Sequence, residues 1–155
     1  MAVQGTSVLV IEARFYNDIA DELLRGARTA LASRGVACEV IQVPGALEIP
    51  VALSIAIDGR KVGRAGGHHG CVALGCVIRG ETSHYDIVAG ESARALMDMG
   101  VRHALPVGNG ILTVDSREQA WVRAAIDQGN KGGTAVEACL ALIEARNRFA
   151  PVVGR

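Results

Sequence analysis

Short, almost uninterrupted apolar runs alternate with longer amphipathic segments along this chain of 155 residues. The apolar runs lie at 7–13, 36–43, 71–78 and 101–107. Strands that are buried on both faces have this pattern, because neither face then needs polar residues. The alternation therefore predicts an α/β fold with a parallel sheet of about four strands, covered by helices on both faces.

The segments between these runs have apolar residues at helical spacing. Helices are predicted at 18–33, after Pro50, at 82–99, at 115–128 and after the break at 129–130. Gly35 is expected to end the first helix, and Asp115, with Glu118 three residues later, is the expected N-cap of the fourth. His103 is expected to pack within the last strand, and the segment GNGILT at 108–113 to follow it. Residues 1–155 contain no long linker and predict a single domain.

Composition limits what the chain can bind. Half of the residues are hydrophobic, and 16 basic residues balance 16 acidic ones, so we expect no basic face for nucleic acid or anionic lipid. The apolar runs fall short of the ~18 residues that span a bilayer, and residues 1–7 lack the regions of a signal peptide. A cytoplasmic homo-oligomer is therefore expected, since association buries the excess aliphatic surface.

The thiols and neighbouring histidines have structural interpretations. The cysteines are Cys38, Cys71, Cys76 and Cys139. They form no C-x-x-C pair and stand in apolar surroundings, which predicts buried structural thiols. His68 and His69 are expected to be loop residues, because adjacent residues of an extended strand point to opposite faces and no second cluster supplies further ligands. No metal site is predicted.

Ligands of parallel α/β sheets bind beyond the carboxyl ends of the strands. This rule selects segments 12–17, 44–50, 76–84, 106–113 and 129–133. The most informative is CVIRGETSHYD, which begins at Cys76. A strand is expected to end at Ile78, Gly80 permits a tight turn, and Thr82 or Glu81 can cap the next helix.

Two interpretations of that turn stay open. The Thr82 hydroxyl and the free N–H groups at the helix start form a phosphate site, or Thr82 only caps its own helix. His84, in the first helical turn, is a proton carrier beside such an anion or a solvated histidine. Arg123 and Lys131 could each contact an anion or be a solvated surface charge.

Other common nucleotide and catalytic motifs are absent from the sequence. NKGG fails the Walker pattern, because Asn130 and Ala125 stand where glycine is required. GNGILT lacks the third glycine of the dinucleotide fingerprint. No G-x-S-x-G elbow occurs either, so NAD binding and serine-hydrolase chemistry are disfavoured.

Six segments in order carry a resemblance to a known family: ARFYNDI, VPGALEIPVA, ALGCVIRGETSHYD, PVGNGILT, EQAWVRA and GNKG. Together they resemble the 6,7-dimethyl-8-ribityllumazine synthases, from about Val8 to Phe149. The combination of P-G-A-x-E-[IL]-P with V-I-R-G-x-T-x-H is specific to that family. The resemblance implies a flavodoxin-like three-layer sandwich with a four-stranded parallel sheet, and the penultimate step of riboflavin biosynthesis.

The implied enzyme is a transferase without a cofactor. It condenses 5-amino-6-(D-ribitylamino)uracil with 3,4-dihydroxy-2-butanone 4-phosphate. The resemblance gives Phe15 a stacking role on the pyrimidine, and it assigns the ribityl pocket to Ala46, Leu47 and Glu48. Ring contacts through the backbone fall to Cys76, Val77 and Ile78. Glu81, Thr82 and Arg123 are the implied phosphate-binding residues, His84 the proton-transfer residue, and Lys131 lies near the same site.

The family resemblance also implies a homopentamer and leaves higher assemblies open. The segment around Asn109, with Arg123 and Lys131, is implied to reach the pocket of the neighbouring subunit. Leu47 and Asn109 stand where many members carry an aromatic residue, and Cys76 where many carry Thr, so Phe15 is expected to be the ring that stacks the substrate.

Two other functions are compatible with this fold. One is a low-activity paralogue that binds flavin or lumazine as a pentamer, against which the retention of Thr82, His84 and Arg123 argues. The other is an FMN-binding flavodoxin, against which the first strand argues, since it lacks a Ser/Thr-rich phosphate loop.

Overall fold

The computed structural model describes residues 5–64 and 66–150. The strands are β1 (Ser7–Ala13), β2 (Ala37–Val43), β3 (Gly70–Ile78) and β4 (Val107–Val114). The helices are α1 (Asn17–Ser33), α2 (Glu48–Asp58), α3 (His84–Arg102), α4 (Arg117–Ala124) and α5 (Lys131–Arg148). Within these residues the strands pair in parallel in the order β2-β1-β3-β4, which confirms the predicted α/β class.

Helices cover both faces of the sheet, as the apolar strands predicted. Alternate β1 side chains point to opposite faces: Val8 and Val10 join one core, and Leu9 and Ile11 join the other. The first core is closed by α1, α4 and α5, and the second by α2 and α3. These two cores make three layers, the arrangement expected of a parallel sheet.

The prediction of a strand at 101–107 is wrong. The third helix continues to Arg102, and the left-handed Ala104 (φ 47°) closes it, with the Leu105 N–H donating to the Gly100 carbonyl at 3.0 Å. His103, which was expected to be packed, is the exposed C-cap of α3. The last strand instead begins at Val107.

That last strand contains the GNGILT segment, which was expected to follow it. Its glycines argue against a strand by propensity, but packing requires them. A Cβ at Gly108 would lie 2.0 Å from the Ala135 carbonyl oxygen of α5, and one at Gly110 would lie 2.8 Å from Leu74. The close approach of α5 to β4 therefore explains why glycines occupy this strand.

The predicted helix at 115–128 is shorter than expected. Its N-cap is Ser116, whose Oγ accepts from the Gln119 N–H at 3.2 Å, and not Asp115. The helix ends at Ala124, and after a turn Asn130 caps α5 by accepting from the Gly133 N–H at 3.2 Å.

The cysteine prediction is confirmed in part. Cys71 and Cys139 are buried, and burial raises the pKa of both thiols. Cys76 is half-buried, and Cys38 is exposed, so the prediction is wrong for Cys38. All four thiols are free in the described part of the chain.

The remaining sequence predictions concern metal binding near His68 and His69 and helices that could span a membrane. His68 lies in an isolated bridge with Val62, and His69 precedes β3 and accepts from the Ser7 N–H at 3.1 Å. No group of three or more His, Cys, Asp or Glu that could hold a metal ion occurs among residues 5–64 and 66–150. In the same ranges, no helix has the length and apolar character needed to cross a bilayer.

Candidate active site at the carboxyl edge of the sheet

The four parallel strands end along one edge of the sheet, at Ala13, Val43, Ile78 and Val114. Because β1 lies between β2 and β3, the loop that follows β1 is flanked by the loops that follow those two strands. This order brings most of the predicted site residues to one edge: Phe15, Ala46, Leu47, Glu48, Cys76, Val77, Ile78, Glu81, Thr82 and His84.

The third strand extends past its neighbour β1 at this edge. The β1–β3 ladder ends at the pair Glu12 and Leu74, whereas the β3–β4 ladder continues to Ile78 and Val114. Residues 76–78 therefore pair with β4 on one side and make no ladder bond to β1 on the other. Their backbone N–H and C=O groups on that side can bind a polar ring, since buried backbone groups need partners.

Phe15 lies in the loop after β1, the strand that pairs with β3 as far as Leu74. Its side chain is 74% exposed, and its ring meets Tyr16 edge-to-face, with centroids 5.0 Å apart. An aromatic ring with so little cover in its own chain has its faces free for a planar ligand.

The loop after β2 leads directly into α2. Ala46 is buried, Leu47 is the N-cap position, and Glu48 opens the helix with its carboxylate beside Gly45. Leu47 cannot cap through its side chain, and no side-chain cap is found for α2 within the described residues. The N–H groups of Glu48 and Ile49 donate to the carbonyls of Gly45 and Ala46, at 3.1 and 3.3 Å, and Pro50 has no N–H. The group of this turn that a ligand hydroxyl can bind is therefore the Glu48 carboxylate.

The turn after β3 starts α3. The N-cap of α3 is Ser83, so the prediction that Thr82 or Glu81 occupies the cap is wrong by one or two positions. Thr82 Oγ1 accepts from the His84 N–H at 3.3 Å, and its own hydroxyl hydrogen remains free to donate. Glu81, Thr82 and His84 are all exposed. An anion placed at this turn would lie at the positive end of the 19-residue α3.

The cation that follows β3 is already paired. The Arg79 guanidinium donates to Asp115 at 3.0 Å, lies 3.5 Å from Asp86, and stacks over the Tyr85 ring at 4.2 Å. The pKa of Arg79 is raised chiefly by the hydrogen bond to Asp115. Arg79, which follows β3, thus connects the residue after β4 with the first turn of α3. Its charge is balanced by the two carboxylates.

Three other predicted site residues lie outside the loops that follow β1, β2 and β3. Asn109 lies in β4 five positions before Val114, which places it about 17 Å from the strand end at ~3.3 Å per residue. Arg123 is in the last turn of α4 and donates to the Gln119 carbonyl at 3.1 Å, and Lys131 opens α5. The start of α5 packs against α1, since a Cβ at Gly132 would lie 2.0 Å from the Leu23 carbonyl oxygen. Of the three residues, Asn109 is the one on the edge strand β4 itself.

A groove runs along the same β4 side, between α3 and α5, with a volume of about 590 Å³. Its walls are mainly aliphatic, and Asn109 lies among them. Met97 and Val101 of α3 line it and are 70% and 74% exposed. Val51 and Ile55 of α2 are also largely exposed. Exposed apolar surface of this kind is typical of a subunit interface.

Sequence reasoning missed one charged pair at the site. Glu12 is buried at the end of β1 and accepts from the Arg14 guanidinium at 3.0 and 3.2 Å. The pattern that could have revealed it is a carboxylate inside an otherwise apolar strand, SVLVIEA, followed two residues later by a cation.

The fold and the site define a class before any comparison with known proteins. The strand order 2-1-3-4, with a ligand edge at the carboxyl ends, is that of flavodoxin-like small-molecule-binding proteins. The family model described as 6,7-dimethyl-8-ribityllumazine synthase matches residues 5–147. The chain belongs to this family of enzymes.

Similar proteins of that name occur in several bacteria. The 6,7-dimethyl-8-ribityllumazine synthase of Methylorubrum extorquens strain PA1 is 62% identical over 143 residues, 92% of this chain and 82% of that protein. The protein of the same name from Xanthobacter autotrophicus is 56% identical over 147 residues, 95% of this chain and 88% of its own length. Rhizobium meliloti strain 1021 has a 6,7-dimethyl-8-ribityllumazine synthase 1 that is 53% identical over 147 residues, 95% of each chain.

Proposed function

We propose that this chain is a transferase that condenses 5-amino-6-(D-ribitylamino)uracil with 3,4-dihydroxy-2-butanone 4-phosphate to 6,7-dimethyl-8-ribityllumazine, the penultimate step of riboflavin biosynthesis. The family and its relatives carry this name. The observation that supports it most directly is the juxtaposition of an exposed Phe15, the open backbone edge of residues 76–78 and the start of α3.

The pyrimidine is proposed to stack on Phe15 with its polar edge against residues 76–78. A uracil ring presents N–H and C=O groups, which match the C=O and N–H groups of a strand edge. Recognition through the backbone tolerates Cys76 in place of Thr. Burial raises the pKa of the Cys76 thiol to about 11, so it stays neutral near pH 7 and is no nucleophile.

The ribityl chain is proposed to lie over Ala46, Leu47 and Glu48. Its hydroxyl groups can donate to the Glu48 carboxylate, which opens α2. Leu47 supplies an aliphatic contact and has no aromatic ring. Phe15 is therefore the residue proposed to stack on the pyrimidine.

The phosphate is proposed to bind at the turn that carries Glu81 and Thr82. The backbone there and the N-terminus of α3 favour an anion, while the exposed Glu81 carboxylate can point to solvent. His84 lies in the same turn, within the reach needed to move protons to and from the bound reactants.

The reaction then proceeds in three steps. The uracil's amine attacks the ketone carbon and loses water to form a Schiff base, phosphate leaves next, and ring closure with loss of a further water gives the lumazine. His84 moves protons in these steps. Holding two reactants in one site supplies up to about 7 to 11 kcal/mol of the acceleration when their geometry is good.

A second copy of the chain is proposed to complete the site in a homopentamer. Arg79 is paired with carboxylates, so a further cation is needed for the departing phosphate. Arg123 on α4 and Lys131 on α5 follow β4 in the chain, and Asn109 lies on the β4 side, where it lines the aliphatic groove. Packing of this side against a neighbour's carboxyl edge buries the exposed apolar residues and delivers the cations to the neighbour's phosphate.

The alternative of a weakly active pentamer that only binds flavin or lumazine is not favoured, because the similar proteins are named as synthases. We also propose a cytoplasmic location. The four free thiols support it, since disulfides are rare in the reducing cytosol.

Mixing the purified chain with both substrates tests the function. We expect the absorbance of the lumazine to rise with time and one phosphate to be released for each lumazine. A chain that binds lumazine but yields no product would contradict the proposal and favour the binding protein. Sedimentation of the same sample is expected to give the mass of a pentamer or a multiple of it.

A further inference from the structure

Glu12 is a buried carboxylate that the catalytic steps do not use. It is 1% exposed and lies on β1, on the same face as Val8 and Val10, which belong to the core under α1. A buried carboxylate destabilises a fold unless it is paired and hydrogen-bonded. The partners of Glu12 therefore have to account for its position directly below the predicted site.

Two side chains satisfy Glu12. The Arg14 Nη1 donates to both carboxylate oxygens, at 3.0 and 3.2 Å. Gln42 of β2 lies opposite Glu12 in the sheet, and its Nε2 donates to Glu12 Oε1 at 3.1 Å. The carboxylate is thus fixed by the loop that follows its own strand and by the adjacent strand β2.

Arg14 also reaches across the loop that carries Phe15. Its Nη2 donates to the Asn17 carbonyl at 3.3 Å and to the Asp21 carboxylate, both on α1. Partial burial lowers the pKa of Arg14, but hydrogen bonds to Glu12 and Asp21 outweigh it and raise the pKa overall. The guanidinium therefore joins the end of β1 to the first turns of α1, and it spans the three residues between them.

Phe15 depends on this bridge for its orientation. Its side chain is 74% exposed, and its ring contact in the described residues is the edge of Tyr16. Tyr16 in turn lies under the Arg117 guanidinium, 5.8 Å from its ring, while Arg117 pairs with Asp18. With so few contacts on the ring, the backbone at both ends of the loop decides where the ring points.

We propose that Glu12 and Arg14 are positioning residues for the stacking ring, and that their ion pair holds Phe15 over the open backbone edge of β3. This inference rests on the proposed function. It assigns a role in the capture of the pyrimidine to a buried ion pair that contacts neither substrate. Loss of the pair moves the ring and leaves the phosphate turn at Thr82, on a different loop, in place.

Steady-state kinetics of Arg14→Met test the proposal. We expect the KM for the pyrimidine substrate to rise about fivefold, which is within the range for loss of an aromatic stack. The KM for the butanone phosphate should stay within about twofold, because the phosphate is held by other loops. Arg25→Met is the matched control: Arg25 is an exposed arginine of α1 paired with Glu22, and its loss should leave both KM values unchanged.

A double-mutant cycle separates positioning from a general structural role. In a Phe15→Ala background, Arg14→Met should raise the pyrimidine KM no further, because the ring that it positions is gone. If Arg14→Met fails to fold because it leaves Glu12 unpaired, Glu12→Gln combined with Arg14→Met removes both charges and should give the same pattern.

Two results would overturn the positioning role, provided that the wild-type chain makes lumazine. One is an additive effect of Arg14→Met in the Phe15→Ala background, and the other is an equal rise of both KM values. An inactive wild-type chain would instead overturn the proposed function, and this inference with it. Arg14→Lys keeps the charge but not the paired donors, and is expected to restore the pyrimidine KM only in part.

Discussion

His84 lies where a proton carrier is expected, but the protein does not enclose its side chain as it would that of an indispensable catalyst. It is the first residue of α3, its side chain is exposed, and its N–H is held by Thr82. General acid–base catalysis by one side chain contributes about 10² to 10⁴-fold, and water can carry part of that role at an exposed position. Juxtaposition of the two substrates does not depend on the imidazole.

We therefore expect His84→Ala to lower kcat by about a hundredfold, at the low end for such a group, and to leave measurable activity. His103→Ala is the control, because His103 is an exposed histidine at the other end of α3 and its loss should leave kcat unchanged. Complete loss of lumazine formation in a correctly assembled His84→Ala protein would contradict the role given to juxtaposition.

At single positions, the sequence identified residues whose type matched a motif and missed those defined by burial. Thr82 and His84 were found because their motif places them after a strand and at a helix start. Glu12 and Arg14 were missed, because the sequence does not show which residue lies opposite a charged residue of a strand. The register of β1 and β2 shows that Gln42 lies opposite Glu12. The contact between the Thr82 hydroxyl and the His84 N–H, one position before the N-cap Ser83, could be found only from the structure.

Among the elements, β4 shows where propensity and packing disagree. Gly108 and Gly110 lower the strand propensity of the segment, so the preceding apolar run was preferred as the strand. That run instead splits between the end of α3 and the turn at Ala104. The three other strands were predicted almost to the residue, because each contains a run of aliphatic and β-branched residues, and the one internal glycine of β3, Gly75, stands between two such runs.

Gly108→Ala tests whether close packing of α5 on β4 decides this strand. The new Cβ would lie 2.0 Å from the Ala135 carbonyl oxygen, so we expect the free energy of unfolding to fall by about 2 to 3 kcal/mol. Gly75→Ala in β3 is the matched control, since its Cβ would make only ordinary contacts at 3.5 Å or more and should change stability by less than about 1 kcal/mol.

Denaturant unfolding at equal protein concentration measures both variants, because association contributes to apparent stability. Equal stability of Gly108→Ala and the wild type would show that α5 can move away from β4, and would remove the packing explanation for the glycines.

For the whole molecule, the structure shows where the many hydrophobic residues of the sequence lie. Half of the sequence is hydrophobic, yet two cores are filled with aliphatic side chains and Met97, Val101, Val51 and Ile55 still face outward. They lie on α2 and α3, and two of them line the groove that contains Asn109. Surface of this kind supports the view that association and the active site are linked, which no single-chain pattern could establish.

The central claim is that each active site joins the carboxyl edge of one chain to the β4 side of another. It is tested by mixing two impaired variants, His84→Ala and Arg123→Ala, unfolding them together and refolding them into mixed assemblies. Lumazine formation by the mixture is then compared with that of each variant refolded alone.

Random assortment in a closed ring gives about one quarter of the sites both an intact His84 and an intact Arg123 from a neighbour. We therefore predict that the mixture regains about a quarter of the wild-type rate, well above either variant alone. A mixture no faster than the average of the two variants would contradict a site shared between chains.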